Sequence, residues 1–176
     1  MAPAPNFQDV LDRARRSGSL NECLAGLAAQ LAPEFPIHRM IAGLRHPDGE
    51  RLVLVAVWTA APTHIRPGAR VRMDSTSFQR AAEEEGAVVM RQDSLAELPV
   101  LEKVLRAEGI GSAVSIPLRD RGDTVGILIC ASREPDAISA GDSLLFGTIG
   151  VLCEETILQL ARPRLEELLR SDSPDR

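Results

Sequence analysis

Residues 109–132 read GIGSAVSIPLRDRGDTVGILICAS, and this stretch decides the fold. Two runs rich in Val and Ile, 112–119 and 124–132, are joined by the loop 120–123, which predicts a β-hairpin with a short connection. Both alternating sets of side chains in the second run are apolar, so neither face of that strand suits solvent. We therefore expect helices on both faces of the sheet.

The sequence after this hairpin predicts a long helix. Ser139 and Asp142 have the spacing of a capping box, and apolar residues recur from Leu144 through Leu160. The helix should run for at least five turns. Pro163 is expected to break or kink it, leaving a short charged amphipathic segment.

The sequence before the hairpin alternates helical and strand-like patterns. Apolar spacing between Phe7 and Leu31 predicts two helical pieces, with Ser19 as the cap of the second. Turn residues and apolar runs then predict a hairpin from 37–44 and 51–59, a short strand ending at Met73, a helix around Phe78, a strand at 87–90 and a helix that ends near Gly109. This order is that of an α+β fold around an antiparallel sheet.

Length and composition predict one globular domain over 1–176, with a core at about 19–160 and residues 163–176 as an extension or linker. The net charge of −5, the single Trp and the absence of Tyr argue against direct binding of nucleic acid. No secretory signal and no stretch approaching the length of a membrane span is expected. Three widely spaced cysteines are typical of reduced thiols, so we expect a cytoplasmic protein without membrane contact.

Three motifs resemble those of the GAF domain family. They are Gly109-Ile-Gly-Ser-Ala-Val-Ser-Ile-Pro-Leu118, Thr124-Val-Gly-Ile-Leu-Ile-Cys-Ala-Ser132 and the helix start at Ser139 to Asp142, with Gly86 to Asp93 similar to the family's preceding glycine, strand and aspartate. The sequence departs from the family pattern at Ile138, where Phe is more frequent. Over about 19–160, the resemblance implies a GAF-like fold of the profilin and PAS kind, with five or six antiparallel strands and helices on both faces.

The resemblance also implies a ligand pocket on the sheet face opposite the long terminal helices. The resemblance names no cofactor or ligand. The walls of the pocket would be apolar with one arginine, which suits a small hydrophobic or weakly anionic molecule, although the same side chains could simply fill a core. The expected pocket residues are Trp58, Met73, Phe78, Met90, Arg91 and Ser115.

The residues predict no catalytic constellation and no metal site. Gly109 and Gly111 lack the third glycine of a dinucleotide loop, and the three histidines have no ligand spacing. Cys130 is interpreted as a small buried hydrophobe, because no basic residue adjoins it. The open alternative is an enzyme that resembles the GAF-type free methionine-(R)-sulfoxide reductases and uses Cys130 as its thiol.

We therefore expect a non-enzymatic sensory domain that binds a small molecule, dimerises, or does both. It would be the input module of a sensor kinase or a transcription regulator, and a purely structural dimerisation module is a further alternative. Apolar residues on the last helix exceed one narrow stripe, so a partner helix of a second copy could cover the remainder. Leu145, Ile149 and Leu152 are the expected homodimer contacts.

Overall fold

The computed structural model describes residues 6–73, 77–84, 86–91 and 100–171, without the side chains of Arg91, Val100 and Glu102. The sequence also predicts a cap of the third helix at Asp74 or Ser75 and a loop at 92–94, and both lie outside the described residues. The elements are α1 (Phe7–Ser17), α2 (Leu20–Leu31), β1 (Arg39–Arg45), β2 (Arg51–Thr59), β3 (Arg70–Arg72), α3 (Ser77–Glu83), β4 (Val88–Arg91), α4 (Val100–Ala107), β5 (Ser112–Asp120), β6 (Asp123–Ser132) and α5 (Ser143–Ser171).

The strands form one six-stranded sheet in the order β3-β2-β1-β6-β5-β4. Every neighbouring pair is antiparallel, and the two predicted hairpins are β1–β2 and β5–β6. These hairpins meet at the centre, where β1 pairs with β6 over Arg39 to Leu44. The predicted α+β fold around an antiparallel sheet of five or six strands is confirmed.

Helices cover both faces of the sheet, as the doubly apolar hairpin predicted. On one face α1, α2 and α5 bury what we call the terminal-helix core, which includes Leu24, Leu27, Met40, Val55, Val114, Ile116, Cys130, Phe146, Ile149, Cys153 and Ile157. On the other face α3 and α4 bury the α3/α4 core, which comprises Ile41, Leu52, Leu54, Ile65, Met73, Phe78, Met90, Leu101, Leu105, Ile110, Ala113, Ile127, Ile129 and Ala131.

Helix α5 has 29 residues, or about eight turns, and continues through Pro163. Of the two expected outcomes at Pro163, the break is therefore wrong, whereas the kink stays a prediction. Residues beyond the proline keep helical structure because Leu165 and Leu168 pack against the terminal-helix core. At the other end, a short 3₁₀ turn at Ala140–Asp142 leads into α5, and the Asp142 carboxylate accepts a hydrogen bond from the Ser139 N–H at 2.7 Å.

Helix α5 packs closely on the sheet because Gly150 has no side chain. A Cβ built at Gly150 would lie 2.4 Å from Cγ2 of Ile116 on β5, whereas one at Gly147 would meet nothing within 4 Å. Gly150 therefore allows α5 to approach the sheet closely.

One helical segment, Ala140–Ser171, is long and apolar enough to cross a membrane by length and composition alone. The expectation that no stretch reaches that length is corrected accordingly. The apolar content has a second explanation within the fold, because Phe146, Ile149, Cys153 and Ile157 of this segment are buried against the sheet and its neighbouring helices.

Candidate functional site

Three of the predicted pocket residues meet on the sheet face that carries α3 and α4. Met73, Phe78 and Met90 all belong to the α3/α4 core, and none is more than 7% exposed. Ser115 is fully buried and lies opposite Ile129 of β6, which belongs to the same core. Its hydroxyl oxygen has no hydrogen-bond partner in the described structure. The backbone of Arg91 extends β4, and its side chain lies outside the described atoms.

Trp58 does not belong to this face, so its assignment to the pocket is corrected. It lies opposite Met40 in the β1–β2 pairing and packs against the terminal-helix core. The cause is a bulge, because Ala42 pairs with Ala56 whereas the next residue, Gly43, pairs with Leu54. The extra residue shifts the alternation of β2, so that side chains beyond it exchange faces.

A groove opens beside Phe78 and Met73, between α3 and the ends of the first three strands. It has a volume of about 630 Å³, within the range of small-molecule sites. The guanidinium carbon of Arg45 lies 5.8 Å from the centre of the Phe78 ring, a distance that allows cation–π attraction. We call this opening the Arg45 groove; it is lined by Arg45, Gly49, Glu50, Arg72, Met73, Phe78, Gln79, Ala82 and Glu83.

The other end of β1 carries a buried ion pair. The Arg39 guanidinium contacts the Glu108 carboxylate just beyond α4, and the two side chains are only 2% and 8% exposed. Glu108 also accepts hydrogen bonds from Thr63 Oγ1 at 2.8 Å and from the His64 N–H at 2.6 Å. Burial alone would raise the pKa of Glu108, but these hydrogen bonds and the Arg39 charge hold it below its usual value.

Sequence reasoning missed both Arg39 and Arg45. The available signal was the alternation of β1, because these arginines share a strand face with Ile41, whose side chain lies in the α3/α4 core. Arginines at both ends of a central strand, on the same strand face as core residues, indicate that a charged group is needed at each edge of that core. Arg39 is buried as an ion pair, and Arg45 remains accessible from the groove.

The three thiols lie on the other side of the sheet. Cys23, Cys130 and Cys153 are free, fully buried and part of the terminal-helix core. Burial, followed by the neighbouring Cys153, raises the pKa of Cys130, and burial raises that of Cys23 to about 11. Within the described residues, no group of three or more His, Cys, Asp or Glu is placed to hold a metal ion.

Of the expected dimer contacts, Leu145 and Leu152 are exposed at 42% and 56%, but Ile149 is only 2% exposed. Ile149 packs in the terminal-helix core, so its assignment to an interface is corrected. The outward side of α5 carries two further large apolar residues, Leu144 at 81% and Val151 at 70% exposed. We call Leu144, Leu145, Val151 and Leu152 the α5 stripe.

Comparison with known proteins agrees with this fold. The sequence model of the GAF domain family matches residues 17–157. No curated protein matches the chain significantly in sequence.

Solved GAF domains resemble the chain at low sequence identity. The GAF domain of a two-component sensor histidine kinase from Bacillus halodurans is 14% identical with a TM-score of 0.59, over 88% of this chain and 99% of that one. The GAF domain of a phosphoenolpyruvate-protein phosphotransferase from Coxiella burnetii is 14% identical with a TM-score of 0.61, over 98% and 100%. The free methionine-R-sulfoxide reductase from Neisseria meningitidis is 19% identical with a TM-score of 0.58, over 97% and 95%.

Proposed function

Because the chain belongs to the GAF domain family of sensory and regulatory modules, we propose that it is a non-enzymatic sensory domain. A small molecule binds on the α3/α4 face, and the signal leaves through α5. The observation that carries this proposal is the position of α5, which packs on the sheet along one side and exposes the α5 stripe on the other. Small shifts of such a helix are a common way to pass a signal on.

A homodimer through the α5 stripe is part of the proposal. Four large apolar side chains on one short stretch of helix form a patch that a second copy would remove from water. Leu144 and Val151 also border a groove of about 520 Å³ between α5 and β5, which offers room for side chains of a partner helix. The interface then lies on the element that also contacts the sheet, so dimer geometry and ligand state are coupled.

We propose that the chain occupies the cytoplasm and acts as the input module of a larger signalling protein, either a sensor kinase or a transcription regulator. The resemblance to a GAF domain from a two-component sensor histidine kinase supports a kinase output, and three free thiols support a reducing compartment. Residues 1–176 are proposed as one domain. Helix α5 reaches Ser171 without interruption, so the C-terminal extension is proposed to connect to an output as a stiff helix.

The competing enzyme hypothesis uses Cys130 as the thiol of a methionine sulfoxide reductase. The likeness to the reductase from Neisseria meningitidis motivates it. Against it, the Cys130 thiol is fully buried in the terminal-helix core, on the face opposite the Arg45 groove, and its pKa is raised. A nucleophilic thiol needs access to substrate and a lowered pKa, and Cys130 has neither.

We expect no thiol-dependent reduction of free methionine sulfoxide by the purified protein. In the native state all three thiols should resist a thiol-specific reagent such as Ellman's reagent, and all three should react once the chain is unfolded in urea. Cys130→Ser is the matched variant for the turnover assay. Turnover by the wild type that this variant loses would overturn the non-enzymatic proposal.

A further inference from the structure

The Arg45 groove contains a cation to which the described part of the chain offers no anionic partner. The Arg45 side chain is exposed and its guanidinium lies over the Phe78 ring, but within the described residues it makes no hydrogen bond or ion pair. Arg72, which lines the same groove, already contacts other groups. Cation–π attraction favours side-chain conformations that place the Arg45 guanidinium over the Phe78 ring, so less rotamer entropy is lost when its N–H groups bind an acceptor.

The charges that line the groove limit the anion it can accept. Glu50 and Glu83 line the same space as Arg45 and Arg72, so positive and negative side chains balance among the described lining residues. Glu83 accepts a hydrogen bond from Gln79 Nε2 at 2.8 Å, which holds its carboxylate in place. Two carboxylates beside the binding space repel a dianion such as a phosphate ester more strongly than a monoanion.

Three of the uncharged lining residues are apolar. Met73 and Phe78 are 7% and 3% exposed, and with Ala82 they form the side of the groove that continues into the α3/α4 core. A ligand body placed there exchanges water contact for contact with thioether, aromatic and methyl groups. The groove therefore combines one available guanidinium, an apolar wall and a barrier to multiply charged anions.

We propose that the Arg45 groove binds a small monocarboxylate with an apolar tail. The carboxylate pairs with the planar edge of the Arg45 guanidinium through two parallel N–H···O hydrogen bonds, and the tail packs on Met73, Phe78 and Ala82. This assignment rests on the proposed sensory function and names the ligand class of its site. A planar carboxylate matches the fork of N–H donors that a guanidinium presents.

The test is calorimetric titration of the protein with hexanoate and phenylacetate, each beside its neutral amide, and with phenyl phosphate as the dianion. At least one carboxylate should bind, its amide should bind at least about 10-fold more weakly, and phenyl phosphate should bind more weakly than phenylacetate. Arg45→Met keeps an unbranched side chain over Phe78 but removes the charge. This variant should raise the dissociation constant of the carboxylate about 10- to 100-fold, the range expected when hydrogen bonds to a charged group are lost.

Two further variants sharpen the result. Arg51→Met removes an exposed arginine of the same hairpin, which pairs with Asp48 outside the groove, and should keep wild-type affinity within about two-fold. Glu50→Gln should improve binding of phenyl phosphate relative to phenylacetate. Equal binding of acid and amide, equal affinity of Arg45→Met and wild type, or no binding of either carboxylate would overturn the assignment. The sensory function is tested separately by metabolite binding and Trp58 emission, so the two failures are distinguishable.

Discussion

Glu108→Gln is expected to lower the free energy of unfolding by about 3–5 kcal/mol, as is typical when one partner of a buried ion pair is removed. The variant leaves the Arg39 guanidinium almost fully buried without a counter-charge, and it weakens the contacts to Thr63 and His64. Urea unfolding followed by circular dichroism measures the change. Glu167→Gln is the matched control, because its ion pair with Arg164 is exposed and should contribute less than about 1 kcal/mol. Similar losses in both variants would contradict the role assigned to Glu108.

The Glu108 carboxylate also makes the stability of the folded state depend on pH in the acid range. The pKa of Glu108 is held below its usual value of 4.5, so the ionised form is the one that the folded state stabilises. Its contribution is therefore complete above that value and is lost as the pH falls through the lower pKa of the folded state. Glu108→Gln should lose less stability than the wild type over this acid range. Parallel acid profiles would show that another group controls the loss.

The wild-type protein is expected to have twice the 19.0 kDa mass of the chain in light scattering at micromolar concentration, and Leu144→Glu with Leu152→Glu should reduce it to a monomer. Each leucine is counted twice in a two-fold interface, and full burial of such a side chain contributes about 1.5–3 kcal/mol. The double variant should therefore weaken association by at least about 100-fold. Both residues are exposed in the single chain, so the fold should persist.

Ala107→Glu is the control for this experiment, because it adds a carboxylate to an exposed apolar position on α4, away from the α5 stripe. It should remain dimeric. A strictly monomeric mass for the wild type would contradict the proposed dimer. A double variant that stays dimeric would place the interface elsewhere.

The sheet and helices were predictable because their signals are local. The hairpin of β5 and β6 follows from two apolar runs around a turn, and the sequence places its limits within one residue of those observed. Helix α5 was predicted by its period, but its continuation past Pro163 was not. The contacts of Leu165 and Leu168 that support that continuation come from distant parts of the chain.

The candidate site was less predictable because it depends on the register between strands and on close packing of segments that are distant in the sequence. The bulge opposite Ala42 and Gly43 reverses the direction of Trp58, and nothing in the composition of β2 marks it. Likewise, Ile149 is spaced from Leu145 and Leu152 as residues on one side of a helix are, but it is buried in the terminal-helix core. The close packing at Gly111 could not be predicted from the sequence either. A Cβ there would lie 2.6 Å from the Arg133 carbonyl oxygen, and only folding brings these two atoms together.

The position of Trp58 on the terminal-helix face makes it a useful reporter of structural change there. Trp58 is the single tryptophan, and it is half-buried against the terminal-helix core. A ligand in the Arg45 groove lies on the opposite face of the sheet and cannot touch it. A change in its emission on ligand binding would therefore report a structural change that crosses the sheet.

We infer that binding on the α3/α4 face changes the packing of the terminal helices, and Trp58 emission detects such a change. Metabolites that bind in native mass spectrometry, the carboxylates included, would be titrated against the protein while the emission maximum and intensity are recorded. We expect a saturable change in emission whose midpoint equals the calorimetric dissociation constant. Saturable binding without any change in emission would contradict transmission to the helices, and the absence of any ligand would favour a purely structural dimerisation module.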